Sequence, residues 1–425
     1  MKILIHTLVS PLHDPVATGR VAEEFLAGIQ RHCGSELVNC GSDFSQYGNG
    51  DLNLVYEMTG GTEGLFLEVL PQIKGHVYIL TSGKSNSLAA SMEILSYLRS
   101  NGRTGEIIHG DVEYVGGRID LLARVERGKK ALAGMRLGVI GEPSDWLISS
   151  APDEKALCDK LGMEVVRIPI AELIEDTRKV EMALYNDPAT ELQARLDGAN
   201  HVYESLRRII GKYNLQGITL RCFDLLDTLH NTGCLALACL NAEGVPASCE
   251  GDVPALVTMA IGNALTGQSG FQVNLSRINQ TAGEYLFAHC TVPLNMVSSY
   301  TYDTHFESGL GIAIRGVLPE GNATIFKVSG DLGSSFVAPA QLLRNQAEAG
   351  LCRTQVIIQM GGAIGAFGAD SYANYFLKRP IGNHHVIFCG DYAEIFNAFM
   401  EQICYSAKVI LPPFSSTDIS MLRPR

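Results

Sequence analysis

Leu137-Gly-Val-Ile140 runs directly into Gly141-Glu-Pro-Ser-Asp-Trp146, a short apolar strand ending in a turn cluster. In α/β proteins the carboxyl end of such a strand is where ligands sit. A predicted helix over Glu154–Leu161, a strand over Glu164–Ile168, helical segments to about Tyr213 and a strand over Gly217–Cys222 follow. Strand–helix alternation at this spacing predicts βαβ units and a parallel sheet. The same plan precedes it, with strands at Lys2–Leu8, Leu52–Met58 and His76–Leu80 and helices at Ala17–Cys33 and Ser87–Leu98. After about residue 267 the texture changes. Glu284–His289, Gly311–Gly316, Asn322–Lys327, Thr354–Gln359 and His385–Cys389 are short β-rich runs cut by Gly and Pro, the profile of an antiparallel sheet or barrel. A helix over Tyr392–Tyr405 and a Pro-rich tail close the chain. The expected architecture is α/β multidomain: two doubly wound, Rossmann-like parallel-sheet domains over 1–135 and 136–266, then a β-rich, barrel-like antiparallel domain over 267–425.

The bulk numbers agree with a large folded chain. Of 425 residues, 46% are hydrophobic and 18% charged, which excludes disorder. A formal net charge of −12 argues against nucleic acid or an anionic membrane as the main partner. No run approaches 18 apolar residues, and the N-terminus reads as a strand rather than a signal peptide. The 11 cysteines form no C-x-x-C pair, and Cys222, Cys234, Cys239, Cys389 and Cys404 sit in apolar segments, as reduced buried thiols do. The expected compartment is the cytoplasm.

Ala247-Ser-Cys-Glu-Gly-Asp-Val-Pro254 precedes an apolar helix over Val253–Leu265. Asp252 fits its N-cap and Pro254 its first turn. Capping leaves Glu250 without a structural task, at a domain junction where sites are common. His289 ends a strand, and His384–His385 open another, so only one of that pair enters a given site. Carboxylate and imidazole groups from separate segments suit a Mn²⁺-type divalent ion. Ser82-Gly-Lys-Ser85 lacks the first glycine of a phosphate loop, and Gly361-Gly-Ala-Ile-Gly-Ala-Phe-Gly368 lacks dinucleotide spacing and reads as a loop lining a pocket.

Arg221-Cys-Phe-Asp-Leu-Leu, Cys249-Glu-Gly-Asp252, Leu265-Thr-Gly267, Ala288-His-Cys290 and Gly382-Asn-His-His385, in this order, resemble the L-fucose/L-arabinose isomerase superfamily, most closely its shorter fucose-isomerase-like members. The resemblance extends to Gly141–Trp146 and to Ser85-Asn-Ser-Leu-Ala-Ala90. It implies an aldose–ketose isomerase that moves a proton between C1 and C2 with a divalent metal, Mn²⁺ or another, held by Glu250 and His384. The family's Asp falls 24 residues after its Glu, which lands on Asn274 here. Asn offers a metal its carbonyl oxygen but takes up no proton near pH 7, and it implies weak metal binding. His289 matches the position of a further arabinose-isomerase ligand. The catalytic candidates are therefore Glu250 and Asn274, and the metal candidates Glu250, Asn274, His384 and His289. Arg221, His305, Asn383, His385 and Trp146 are the candidate sugar contacts. Asp303, His305 and Glu307 are open substitutes for the missing acid. The partners expected are a small sugar and further copies of the chain in a homotrimer or homohexamer, with the Ser82–Ala90 loop reaching a neighbour's pocket. A non-catalytic sugar-binding or regulatory protein, or an epimerase or lyase on the same scaffold, are the alternatives.

Overall fold

The computed structural model describes residues 1–179, 188–360 and 372–403. The Gly361–Gly368 loop, Cys404 and the end of the helix expected to reach Tyr405 lie outside them. Two compact units divide the chain, Met1–Lys130 and Ala131–Arg425.

The first unit is built on a parallel sheet of β1 (Lys2–Leu8), β2 (Glu36–Gly41), β3 (Leu52–Glu57), β4 (Val77–Thr81) and β5 (Gly105–Ile108), in the order β2-β1-β3-β4-β5. Helix Pro15–Gln30 starts two residues earlier than its apolar stripe predicts, because Asp14 accepts from the N–H groups of Val16 and Ala17 and Pro15 fits the first turn. The charged stretch Arg124–Lys130 belongs to helix Val112–Leu132, whose Val115, Ile119 and Leu122 are buried on the sheet core. At the carboxyl end of β3, Glu57 is fully buried. Thr62 donates to its Oε2 at 2.5 Å, and Oε1 has no hydrogen-bond partner among the described residues.

The second unit joins a four-stranded parallel sheet to a closed barrel. The sheet holds β6 (Arg136–Ile140), β7 (Glu164–Ile168), β8 (Gly217–Leu220) and β9 (Ala247–Cys249), ordered β7-β6-β8-β9. β10 (Phe271–Asn279) and β11 (Glu284–His289) open the barrel, and β12 (Ser299–Asp303) pairs separately with β13 (Ala313–Val317). β14 (Gly321–Val328), β15 (Ser335–Gln346), β16 (Thr354–Met360) and β17 (His384–Cys389) complete it, all antiparallel, in the closed order β10-β11-β16-β15-β14-β17. Phe271, Val273, Tyr285, Phe287, Ile325 and Ile387 belong to its buried core.

One helix links sheet to barrel. Val253–Thr266 begins at Asp252, whose Oδ1 accepts from Ala255 N–H at 2.8 Å. Its Gly262 lies so close to the Phe388 ring that an added Cβ would come within 2.0 Å of it. That contact packs the later half of the helix against β17, while its start is tied to the barrel by Asp252, whose Oδ2 meets His384 Nδ1 at 2.8 Å. No helix among the described residues is long and apolar enough to cross a membrane.

Burial pushes the Glu57 carboxyl up to about 7 from an unfolded value near 4.5, against the Thr62 bond. Folding therefore favours its acid form, and the associated stabilisation is complete below about 4.5 and lost as pH rises through about 7. The shift corresponds to roughly 3 kcal/mol. Denaturant titrations of wild type should show this loss between pH 5 and 8, and Glu57→Gln should flatten it. An unchanged pH profile in the variant would contradict the assignment.

Candidate active site

The site forms where β9 ends. Cys249 pairs with Leu220 of the neighbouring strand, and its backbone N–H is held by Gln272 Oε1 at 2.7 Å. The chain then turns through two left-handed residues, Glu250 (φ 66°) and Gly251 (φ 71°). Gly251 can have no side chain there, since a Cβ would lie 2.7 Å from Pro143 Cα. Glu250 has no such freedom. A non-glycine residue held in this region costs on the order of 1–3 kcal/mol and marks functional positions. The turn is locked by Ser144 N–H donating to the Glu250 carbonyl at 2.9 Å, which docks the Gly141–Trp146 cluster beside it.

Three side chains converge on this turn. Glu250 Oε1 stands 3.8 Å from His289 Nε2 and 3.4 Å from His384 Nε2, while Trp146 Nε1–H donates to Oε2 at 2.6 Å. One donor atom from each of Glu250, His289 and His384 lies within 4.8 Å of the others, and the group can hold a metal ion. The fit has a second support. His384 Nε2 is fully buried with no hydrogen-bond partner among the described residues, whereas its Nδ1 is bonded to Asp252 Oδ2 at 2.8 Å. A carboxylate behind the far ring nitrogen is how proteins orient a metal-binding histidine. Thr291 Oγ1 lies 3.1 Å from His289 Nδ1.

Behind this layer, Lys327 Nζ is 3.9 Å from Asp252 Oδ1, both side chains being essentially inaccessible. In the metal-binding form, which needs both imidazoles neutral, Glu250, Asp252 and Lys327 leave one net negative charge in a buried place, which favours a cation. Burial opposes charge on Glu250, but His289 and His384 outweigh it and hold its carboxyl far below the usual range. Burial likewise opposes charge on Asp252, and Lys327, His384 and the Ala255 N–H outweigh it. Burial disfavours a charged His384, yet Asp252 and Glu250 together push it up to about 9.

A cavity of about 460 Å³ opens over Glu250, with Asn274, His289, His305 and Asn383 on its wall. Asn274 faces His384 across β10 and β17 and Ala288 across β10 and β11, so the three share one face of the barrel wall. Its side-chain oxygen accepts from Asn383 at 3.3 Å. Trp146 stacks edge-on against Phe223, and Phe223 edge-on against His305, at centroid distances of 4.8 and 5.4 Å. Two candidate sugar contacts have other work. Arg221 does not line the cavity; it bonds to Asp145, Asp224 and the Pro143 carbonyl and braces the turn that carries Trp146. His385 points to the other side of β17, where its Nε2 meets the Tyr375 hydroxyl at 2.8 Å and burial pushes its pKa down to about 3.

Sequence reasoning missed Phe223 and the thiols of the wall. Cys222, Cys234, Cys249, Cys290 and Cys352 all line the cavity. It also read Asp252 only as a cap, when the second oxygen of that carboxylate holds His384.

No protein-family model matches the chain. It is similar to a sulfoquinovose isomerase of Alkalicoccus urumqiensis, 24% identical over 281 residues that cover 61% of this chain and 61% of that protein. It is also similar to the sulfoquinovose isomerases of Priestia aryabhattai and Priestia megaterium, each 23% identical over 262 residues, 57% of this chain and 59% of theirs. The chain thus matches these curated relatives over about 60% of their length.

Proposed function

We propose that this protein is an aldose–ketose isomerase of the fucose/arabinose isomerase type, working on a small sugar in the cavity above Glu250. The observation that carries the reading is the buried Glu250/His289/His384 donor set, of which Glu250 and His289 line a cavity of sugar size. The names of the similar proteins, sulfoquinovose isomerases, support the reaction class and make sulfoquinovose the first sugar to try.

Glu250 is the base that takes the C2 proton and returns it to C1. Trp146 orients its carboxylate through Oε2, and Phe223, edge-on to Trp146 and His305, forms part of an aromatic wall that keeps water from the reacting carbons. Glu250, His289 and His384 would hold a divalent ion, Mn²⁺ in this reading, with the carbonyl oxygen of Asn274 at its edge. Such an ion supplies electrophilic stabilisation of the negative oxygen formed when the C2 proton leaves. Asn274 in place of a carboxylate leaves the site one charge short of the enzymes it resembles, so the ion is weakly held. The reading also places the protein in the cytoplasm as a homotrimer or homohexamer.

Two measurements test this. Incubated with Mn²⁺ and a panel of aldoses that includes sulfoquinovose, L-fucose and L-arabinose, wild type should form a ketose. Glu250→Gln should lose that activity by a factor on the order of 10²–10⁴. A panel without any ketose product would overturn the reading. By calorimetry, Glu250→Gln should weaken Mn²⁺ binding at least about tenfold and Asn274→Asp should strengthen it. If both leave the affinity unchanged, the ion is held elsewhere.

A further inference from the structure

Isomerisation of an aldose moves two protons, one from C2 to C1 and one from O2 to O1. Glu250 accounts for the first. Asn274 takes up no proton near pH 7, so the second needs another group. The end of β12 and the loop from it to β13 bring three candidates to the neighbourhood, and the structure separates them. Asp303 is engaged by Arg315 Nη2 at 2.7 Å and Arg353 Nε at 3.4 Å, and it does not line the cavity. His305 lines it, but its Nδ1 is bonded to Ser308 Oγ at 3.1 Å and its ring lies against Phe223. Glu307 lines the cavity and has no ion pair or hydrogen bond among the described residues. It and Glu250 are the two carboxylates on the described wall.

An exposed loop glutamate is ordinarily a solvated surface group. This one is held in place by its neighbours. His305 N–H bonds the Leu310 carbonyl at 3.0 Å and Gly309 N–H the His305 carbonyl at 2.8 Å, which closes the loop on itself. Arg353 Nε ties the Thr304 carbonyl at 2.7 Å on one side, and Arg195 Nη1 ties the Gly309 carbonyl at 2.9 Å on the other. Four bonds thus fix the backbone around a carboxylate that none of them engages. Cys352, on the same wall, feels both acids. Its thiol is raised first by Cys290 and by burial, and further by Glu307 and Glu250.

Resting on the isomerase reading above, we infer that Glu307 is the second catalytic acid–base, relaying the hydroxyl proton between the two sugar oxygens. The balance is as follows. Glu250 takes the C2 proton, the electrons of that bond form the C1–C2 double bond, and O1 gains the negative charge. The Glu307 carboxylate takes the proton of O2 and delivers it to O1. The O2 electrons then form the C2 carbonyl, the double-bond electrons take the proton back from Glu250 onto C1, and both carboxylates return to their starting state.

The test uses the full chain with the aldose that wild type converts, comparing wild type, Glu307→Gln and Glu307→Asp. Because Glu307 is exposed and makes no ion pair or hydrogen bond among the described residues, both variants should melt within about a degree or two of wild type. Glu307→Gln should lower kcat by a factor on the order of 10²–10⁴ with KM within about threefold, and Glu307→Asp should recover part of that loss. If Glu307→Gln turns over within threefold of wild type, the relay is not Glu307 and the isomerase reading stands. A loss that falls on KM with kcat unchanged would make it a binding residue and overturn the catalytic role. If wild type converts no aldose, the isomerase reading falls and this role falls with it.

Discussion

The Asp252 carboxylate is the point on which the site depends. One oxygen caps helix Val253–Thr266 through Ala255 N–H, and the other holds His384 Nδ1 on β17. A single side chain therefore ties the end of the parallel sheet to the barrel wall. Both residues are fully buried, and so is Lys327 behind them. Buried charges of this kind are tolerated only as a complete set, because removing one partner strands the others at a typical penalty of about 3–5 kcal/mol. The arrangement fixes His384 with Nε2 turned toward Glu250.

Glu250 is held by a different device. Its backbone is left-handed, followed by a left-handed glycine, and this conformation turns the carboxylate away from the sheet and into the cavity. The cluster Gly141–Trp146 keeps it there through the Ser144 and Trp146 bonds, and Arg221 braces that cluster in turn. Strain at the turn is thus balanced by contacts made outside it. The same contacts place the indole beside the Glu250 carboxylate.

Much of this was legible in the sequence where local signals were strong. Strands Glu164–Ile168 and Glu284–His289 and the start of the helix at Val253 stand where their β-branched and aromatic runs, or the Asp252–Pro254 start signal, put them. β15, twelve residues long, was missed because Pro339 and Gln341 break the apolar run, and its pairing comes from the barrel ladder. β10 was missed for a related reason: its alternation is clear over Phe271–Leu275 but fades at Ser276 and Arg277, where the register shifts. The bonds that make the site join residues 104 positions apart for Trp146 and Glu250 and 132 apart for Asp252 and His384, and no local pattern encodes them. That adjacent strand residues face opposite ways was legible for His384 and His385. Which of the two turns toward Glu250 became visible only from the barrel register, where Asn274 opposes His384.

The central claim is that Glu250, His289 and His384 bind one divalent ion together. Anomalous diffraction from crystals grown with Mn²⁺ tests it most directly. The account predicts a single strong peak within roughly 2.0–2.6 Å of Glu250 Oε1, His289 Nε2 and His384 Nε2. A peak bound by other side chains, or no peak at this position under saturating Mn²⁺, would contradict it.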